Sequence, residues 1–405
     1  MNDSWDIIVV GAGAAGLFAA LRAKELEPRL RLLVLERGPK PLRKVELSGG
    51  GRCNVTHSCH DMDLLLRSYP RGGHRLESIL SRFMPQDTVQ WFRSRGVRLK
   101  TESDGRMFPV SNSSKTIVDC LLKQAHKLGI EVRCRARVDE IERRERCFLL
   151  RVGDNKLRTR KLLLATGGGS KATGWLRQMG HETEPDIPSL FTFCIEEPLL
   201  KGLAGLSVDP AAVALHLESD FEAEGPLLVT HWGVSGPAVL KLSAFAAREL
   251  YRLEYKATLH IDLVPGLGEE RLLLLLGEQD PRKQVSARSP FPGIPKRLWQ
   301  RLVERSDIGQ KQRWERLKPV SVRRLAGNLK KLELAVAGKG QFKDEFVTSG
   351  GLPLHEIDVY TMESRRVPGL FVAGELLNVD GVTGGFNFQN AWASGFVAGE
   401  GLASK

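Results

Sequence analysis

Three glycines, Gly11, Gly13 and Gly16, are spaced G-x-G-x-x-G directly after the apolar run Asp6 to Val10, with Ala14 and Ala15 between them. Apolar residues then recur at helical spacing from Leu17 to Leu26, Pro28 breaks the pattern, and a second β-type run from Leu30 ends at Leu35, followed by Glu36 and Arg37. This order of residue types suits the binding of a dinucleotide. Gly11 permits the sharp turn out of the strand, Gly13 lets a pyrophosphate approach the backbone, and Gly16 lets helix and strand pack closely. The helix N-terminus offers free N–H groups and a partial positive charge to the phosphates, while Glu36 accepts hydrogen bonds from a ribose.

Three further stretches carry chemistry. Lys44 precedes Ser48-Gly49-Gly50-Gly51-Arg52-Cys53-Asn54, where consecutive glycines demand a loop passing close to something, and Lys44, Ser48, Gly50, Arg52 and Asn54 are expected to line the cofactor. Leu162 to Leu164 runs as a strand into Ala165-Thr166-Gly167, with Val138 expected on the same side at the end of a strand from Glu131. Near the C-terminus, the strand Leu370 to Ala373 stops at Gly374-Glu375; Asp380 and Gly384-Gly385-Phe386-Asn387-Phe388 follow, and a helix is expected from Gln389 to Leu402. A strand-then-acid step suits a ribityl chain, and a helix N-terminus suits a ring system that gathers negative charge on reduction. Four segments converging on one ligand imply FAD rather than NAD. No second G-x-G-x-x-G unit with flanking strands is present, so NAD(P)H is expected only as a transient electron donor. Candidates for a proton donor are Cys53, His57 and His231.

Hydrophobic residues make up 42% of the 405 residues and charged residues 27%, the balance of a globular protein with two or three structural units. No apolar run reaches the roughly 20 residues that span a bilayer, and acidic residues stand where a signal peptide would be basic. A cytoplasmic location is expected. The six cysteines form no C-x-x-C pair, so neither disulfides nor a zinc site are expected. The net charge is +12, and residues 282–345 hold 17 Lys or Arg against 6 Asp or Glu. A solvated basic face is the ordinary explanation of such segregation, which is also the electrostatic footprint of a polyanion partner such as an RNA. Trp299 and Trp314 lie among these cations and could stack on bases or pack inside.

These elements predict an α/β fold: a Rossmann-type FAD-binding domain interrupted by a β-rich, barrel-like insertion and a small helical one. The expected boundaries are 1–188 and 347–405 for the FAD domain, 189–265 with 332–346 for the β-rich insertion, and 266–331 for the basic helical insertion. Within the first part, helices are expected across 60–100 and from Thr116 to Leu128, a turn over Gly105 to Pro109, and a hairpin turning at Gly153-Asp154-Asn155.

The full set of motifs, extended by Thr230-His231-Trp232-Gly233, Thr348-Ser349-Gly350-Gly351 and Thr361-Met362-Glu363-Ser364, resembles the BaiN/RdsA family of bacterial flavoproteins over essentially the whole chain. The loop after Ala165-Thr166-Gly167-Gly168 is shorter here than in many members. The resemblance implies reduction of an activated C=C bond, either uridine in ribosomal RNA to dihydrouridine or an enone-type steroid intermediate. An oxidase of small amines such as aminoacetone is a second reading, and an RNA-associated protein with a structural flavin a third.

Overall fold

The computed structural model describes residues 4–340 and 347–404. The chain divides into two compact units, Met1–Ile187 with Val347–Lys405, and Pro188–Phe346. The upper end of the basic segment, residues 341–345, lies outside the described residues, as does the expected boundary at 346.

In the first unit, β1 (Ser4–Val10), α1 (Ala14–Leu26) and β2 (Leu32–Leu35) form the β-α-β unit. The strands β3 (Glu131–Arg133), β4 (Asn155–Leu164) and β5 (Leu370–Val372) extend the parallel sheet in the order β3-β2-β1-β4-β5. Ile7, Ile8, Leu33, Leu163 and Val372 are wholly buried, which explains why these strands read as continuous apolar runs rather than alternating ones. The expected hairpin is present: Cys147–Val152 pairs antiparallel with β4 and with a further strand, Glu140–Arg144. The long helix α2 (Phe386–Ala403) packs on α1. A Cβ on Gly395 would lie 2.7 Å from the Ala15 carbonyl oxygen, and one on Gly399 2.7 Å from that of Ala19, so only glycine permits this approach.

Some sequence expectations need correction. The strand from Glu131 ends at Arg133 instead of Val138, because Arg135 takes a left-handed conformation (φ 55°) and donates its N–H to the Gly38 carbonyl. Residues 106–109 form a strand, Arg106–Pro109, paired with Thr56–His57 and Leu99–Thr101; the turn falls at Glu102–Gly105. A helical turn, unforeseen, opens at Arg43 and breaks at Ser48, where the backbone becomes extended.

The second unit is built on a sheet ordered Leu332–Val336, Ala257–Asp262, Ser207–His216, Asp220–Val229, Gly233–Ser235, Phe193–Cys194, Gly338–Lys339. Its two edge strands are consecutive in sequence, so the chain leaves one edge and joins the other through Ala337 alone, and the sheet closes on itself. Closure removes the exposed edges of an antiparallel sheet. The basic helices of 266–331 have no separate core. Leu298, Trp299, Leu302 and Leu325 join Phe191, Val213 and Leu259 in one buried cluster. Trp299 is wholly buried and donates Nε1–H to the Val285 carbonyl at 2.7 Å, so it is unavailable to stack on bases. Trp314 packs half-buried against the same core.

A buried ionic network fastens the first unit's 354–367 segment. Glu356, 2% exposed, accepts from Arg366 Nε at 2.7 Å and Nη2 at 2.9 Å, and lies 2.7 Å from His181 Nδ1; His181 Nε2 is 2.9 Å from Ser364 Oγ. The Arg366 guanidinium holds the Glu356 carboxyl down at about 2. A depressed carboxylate stabilises the fold fully above its unfolded pKa, and that contribution disappears as pH falls toward the folded value. Glu356→Gln should therefore lower stability by about 2 kcal/mol at neutral pH, allowing for the exposed side of Arg366, and the difference from wild type should shrink between about pH 5 and pH 2 in denaturant melts.

Candidate active site

The glycine turn is the tightest point of the first unit. A Cβ on Gly11 would meet the Ala165 carbonyl oxygen at 2.3 Å, and one on Gly16 the Gly11 carbonyl oxygen at 2.0 Å, so the turn seats directly against the end of β4. Gly13 differs, since a Cβ there would find nothing within 4 Å. It is the N-cap of α1 and provides no side-chain cap, so the N–H groups of Ala14 and Ala15 are left for an external acceptor. Glu36 is placed at the end of β2, where its carboxylate accepts from Ala12 N at 3.1 Å and Gly38 N at 2.7 Å. Arg37 is exposed beside it.

The other motifs meet this turn. Gly374 packs on Ala15, with 2.8 Å between their Cβ positions, and its N–H donates to Ser394 Oγ at 2.9 Å. Glu375 pairs with Lys44 at 2.6 Å and accepts from Thr348 N at 3.0 Å. A Cβ on Gly167 would lie 3.5 Å from the Glu375 carboxylate and 3.8 Å from Lys44 Nζ. Thr166 is half-buried beside it. Gly49, Gly50 and Gly51 are all exposed with positive φ (57°, 65° and 81°), an open rim after the helical turn, while Ser48 Oγ closes back on the Val45 carbonyl at 2.9 Å. Asn54, with its amide oriented to suit both partners, donates to the Thr56 carbonyl at 3.1 Å and accepts from Gly385 N at 3.0 Å, tying this loop to the start of α2. Further down, the Gln389 carbonyl accepts from Thr56 and Thr88 at 2.7 and 2.8 Å, its amide donates to the Phe83 carbonyl at 2.7 Å, and Trp392 donates to the Val55 carbonyl at 2.9 Å. The N-terminus of α2 has no acidic residue in its first turn, so its positive end is left for a ligand.

Several expected cofactor contacts are instead engaged in holding the protein together. Asp380 is wholly buried and ion-paired with Arg71. Arg52 pairs with Glu102 at 2.7 Å and lies over the Phe108 ring. Asn387 grips Gly381 through both its amide atoms at 2.8 Å. Phe388 stacks on Trp392, and buried Phe386 stacks on His57 with centroids 4.8 Å apart. A Cβ on Gly384 would touch the Phe386 ring, which explains that glycine by packing. The Val138 carbonyl accepts from Lys171.

The proton-donor candidates fare differently. Cys53 is wholly buried and burial pushes its thiol up to about 12, so it faces no open space. Burial pulls His57 below the ordinary imidazole value. Its Nε2 lies 3.1 Å from the Asp104 carbonyl, which only accepts, so Nε2 carries the proton and buried Nδ1, without a partner, is an acceptor. His231 is exposed in the second unit, in the turn before Gly233–Ser235. Sequence reasoning missed Asp186. Its Oδ1 is buried without a partner, Oδ2 accepts from Thr173 Oγ1 at 3.2 Å, and burial raises its pKa, with Glu375 nearby adding to the rise and the Thr173 bond, Arg177 and the Gly169 N–H opposing it. Gly350, whose Cβ would strike the Pro185 carbonyl at 2.1 Å, sets the strand of Thr348 and Ser349 against Asp186. Ser349 Oγ is likewise buried and unpartnered. The Thr-Ser-Gly-Gly motif was the available signal for this edge.

The open positions at Gly13 and Gly50, the free α1 N-terminus, the ribose-ready Glu36 and the orphaned Asp186 and Ser349 oxygens fit FAD. Comparison with known proteins agrees. The model of the HI0933-like protein Rossmann domain matches residues 5–401. A ribosomal RNA dihydrouridine synthase of Escherichia coli is 31% identical over 99% of this chain and 98% of its own length. A 3-dehydro-bile acid delta(4,6)-reductase of Clostridium scindens is 28% identical over 98% of both. Among solved structures, a 3-ketosteroid-delta4-(5alpha)-dehydrogenase of Rhodococcus jostii aligns over 99% of this chain and 97% of its own with a TM-score of 0.53 at 14% identity, a likeness of fold. No helix among the described residues is long and apolar enough to cross a membrane.

The two inner glycines make opposite predictions. Gly13→Val places its methyls in open space, so the protein should fold with unchanged circular dichroism yet purify without flavin absorbance. Gly16→Val drives a side chain into the Gly11 carbonyl and should fail to give folded protein at all.

Proposed function

The chain belongs to the HI0933-like Rossmann family and is an oxidoreductase of it, and from that premise we propose an FAD-dependent reductase of an activated C=C bond, with uridine in ribosomal RNA as substrate and NAD(P)H as transient donor. The observation that carries this reading is the convergence of Gly13, Glu36, Lys44, Gly167 and Glu375 on one cradle. The full-length relatives support it, since one is named as a ribosomal RNA dihydrouridine synthase and the other as a delta(4,6)-reductase of a 3-dehydro-bile acid. When bound, FAD supplies the hydride. The protein's part is to hold and to protonate. The glycine turn and the N-terminus of α1 bind the pyrophosphate, Glu36 the adenosine ribose, and Glu375, oriented by Lys44 and Thr348 N, the ribityl hydroxyls. The N-terminus of α2 favours the negative charge that reduction brings.

Asp186 takes over the role expected of Cys53. Burial raises its pKa and so favours the neutral, proton-donating form, and Thr173 bonds only one of its two carboxyl oxygens. Phosphate binding by clustered cations favours ribosomal RNA over a steroid or a small amine as substrate.

Asp186→Asn should retain FAD and its reduction by NAD(P)H while turnover of the unsaturated substrate falls at least about 100-fold; unaltered turnover would remove Asp186 from the reaction. For the substrate, deletion of the gene should remove a dihydrouridine from ribosomal RNA by nucleoside mass spectrometry, and the purified enzyme with NAD(P)H should restore it. Intact dihydrouridine in the deletion strain, with peroxide formed from aminoacetone in air, would replace this reading with an amine oxidase.

A further inference from the structure

Resting on the reading that the substrate is RNA, we infer that its phosphates are held by a cationic ridge where residues 280–286 of the second unit run antiparallel beside residues 310–318. The pairing is explicit in the backbone. Gln284 bridges Arg313, Val285 N donates to the Gln312 carbonyl at 2.9 Å, Trp314 N to the Lys283 carbonyl at 3.1 Å, and Glu315 N to the Pro281 carbonyl at 3.1 Å. Arg316 N then turns back onto the Arg313 carbonyl at 3.1 Å, and Lys318 caps the following helix by accepting from Ser321 N at 2.9 Å. These bonds gather Arg282, Lys283, Lys311, Arg313, Arg316 and Lys318, all exposed, onto one short stretch of surface.

What separates this ridge from an ordinary solvated face is the density of its charge. Four cations elsewhere in the segment meet carboxylates: Arg305 pairs with Glu197 at 2.7 Å, Arg301 with Glu304 at 3.3 Å, and Lys330 and Arg324 with Asp262 and Asp307. On the ridge, the carboxylates in reach are Asp280, 3.7 Å from Lys283, and Glu315, 3.8 Å from Arg313. Arg282, Lys311, Arg316 and Lys318 have no ion pair among the described residues. Six cations against two carboxylates leave a net charge of +4 over a patch two strands wide. Self-repulsion makes such a patch unfavourable in isolation, and a phosphate backbone relieves it while releasing counterions. The fold also makes the ridge rigid. Val285 and Trp299 are wholly buried beneath it and joined by the Trp299 Nε1–H bond, so the cations project from a packed support. Recognition by point charges is insensitive to base sequence, so the ridge supplies affinity and the flavin site supplies the choice of uridine.

The test uses the full-length FAD-loaded protein and a fluorescein-labelled, deproteinised fragment of bacterial ribosomal RNA, followed by anisotropy from 50 to 200 mM salt. The variant R282A/K311A/R316A/K318A removes only cations without carboxylate partners, so it strands no acid, and every cofactor-cradle residue belongs to the other unit. It should bind at least about tenfold more weakly at 50 mM salt, with the slope of log K against log salt shallower by about three. Flavin content and flavin reduction by NAD(P)H should match wild type. R282K/R316K keeps the charge and should keep the affinity. Unchanged affinity and slope in the alanine variant would overturn the ridge while leaving the reductase reading, judged separately by dihydrouridine formation. Loss of binding in the lysine variant equal to that in the alanine variant would also overturn it, since phosphate contacts by charge alone tolerate that exchange.

Discussion

The first unit depends on one close approach: the carbonyl of Gly11 lies where a side chain on Gly16 would be, and Gly11 itself abuts the Ala165 carbonyl. Without those contacts the first turn of α1 could not sit against the ends of β1 and β4, and its free N–H groups would point elsewhere. The same small-residue logic extends outward. Gly374 leans on Ala15, and Gly395 and Gly399 lay α2 along α1. Two helices approach the strand ends closely because five glycines remove the atoms that would separate them. The cost is paid in backbone entropy, and tertiary packing offsets it.

Electrostatics then organise the space that this packing leaves. Glu36 is held by two backbone N–H groups and Glu375 by Lys44 and Thr348, so both acids are oriented before a ligand arrives. Such preorganisation reduces what binding must spend on ordering side chains. Beneath that space, Gln389 alone satisfies Thr56, Thr88 and the Phe83 carbonyl. Close to Glu375, Asp186 and Ser349 each leave a buried oxygen without a partner, a state native interiors seldom tolerate.

The second unit solves a different problem. Its sheet closes through Ala337, which leaves the attached helices free to present charge on their outer faces while Leu298, Trp299 and Leu302 complete the common core. One core therefore supports both of the insertions that composition had separated. A helix with alternating Lys or Arg and buried Leu is an amphipathic element in which the two readings of Trp299, stacking and packing, compete. Packing won because its indole N–H found the Val285 carbonyl inside.

The sequence by itself determined the β-α-β turn, the strands that feed it and the family, because glycine spacing and apolar periodicity are local constraints that hold in any context. It also determined where the excess positive charge resides. Only tertiary structure decided which polar side chains reach the cradle. Arg52, Asn387 and Asp380 sit in motifs yet bond to Glu102, Gly381 and Arg71, partners that can be distant in the chain. Cys53 reads as a reactive thiol from its loop, yet burial, a property of the assembled core, keeps it neutral. Asp186 lies in no motif, and what marks it out is tertiary: partial burial that raises its pKa and Glu375 nearby, far off in the chain. Burial and pairing depend on residues far apart in sequence, and a reading of local pattern has no access to them until the chain is folded.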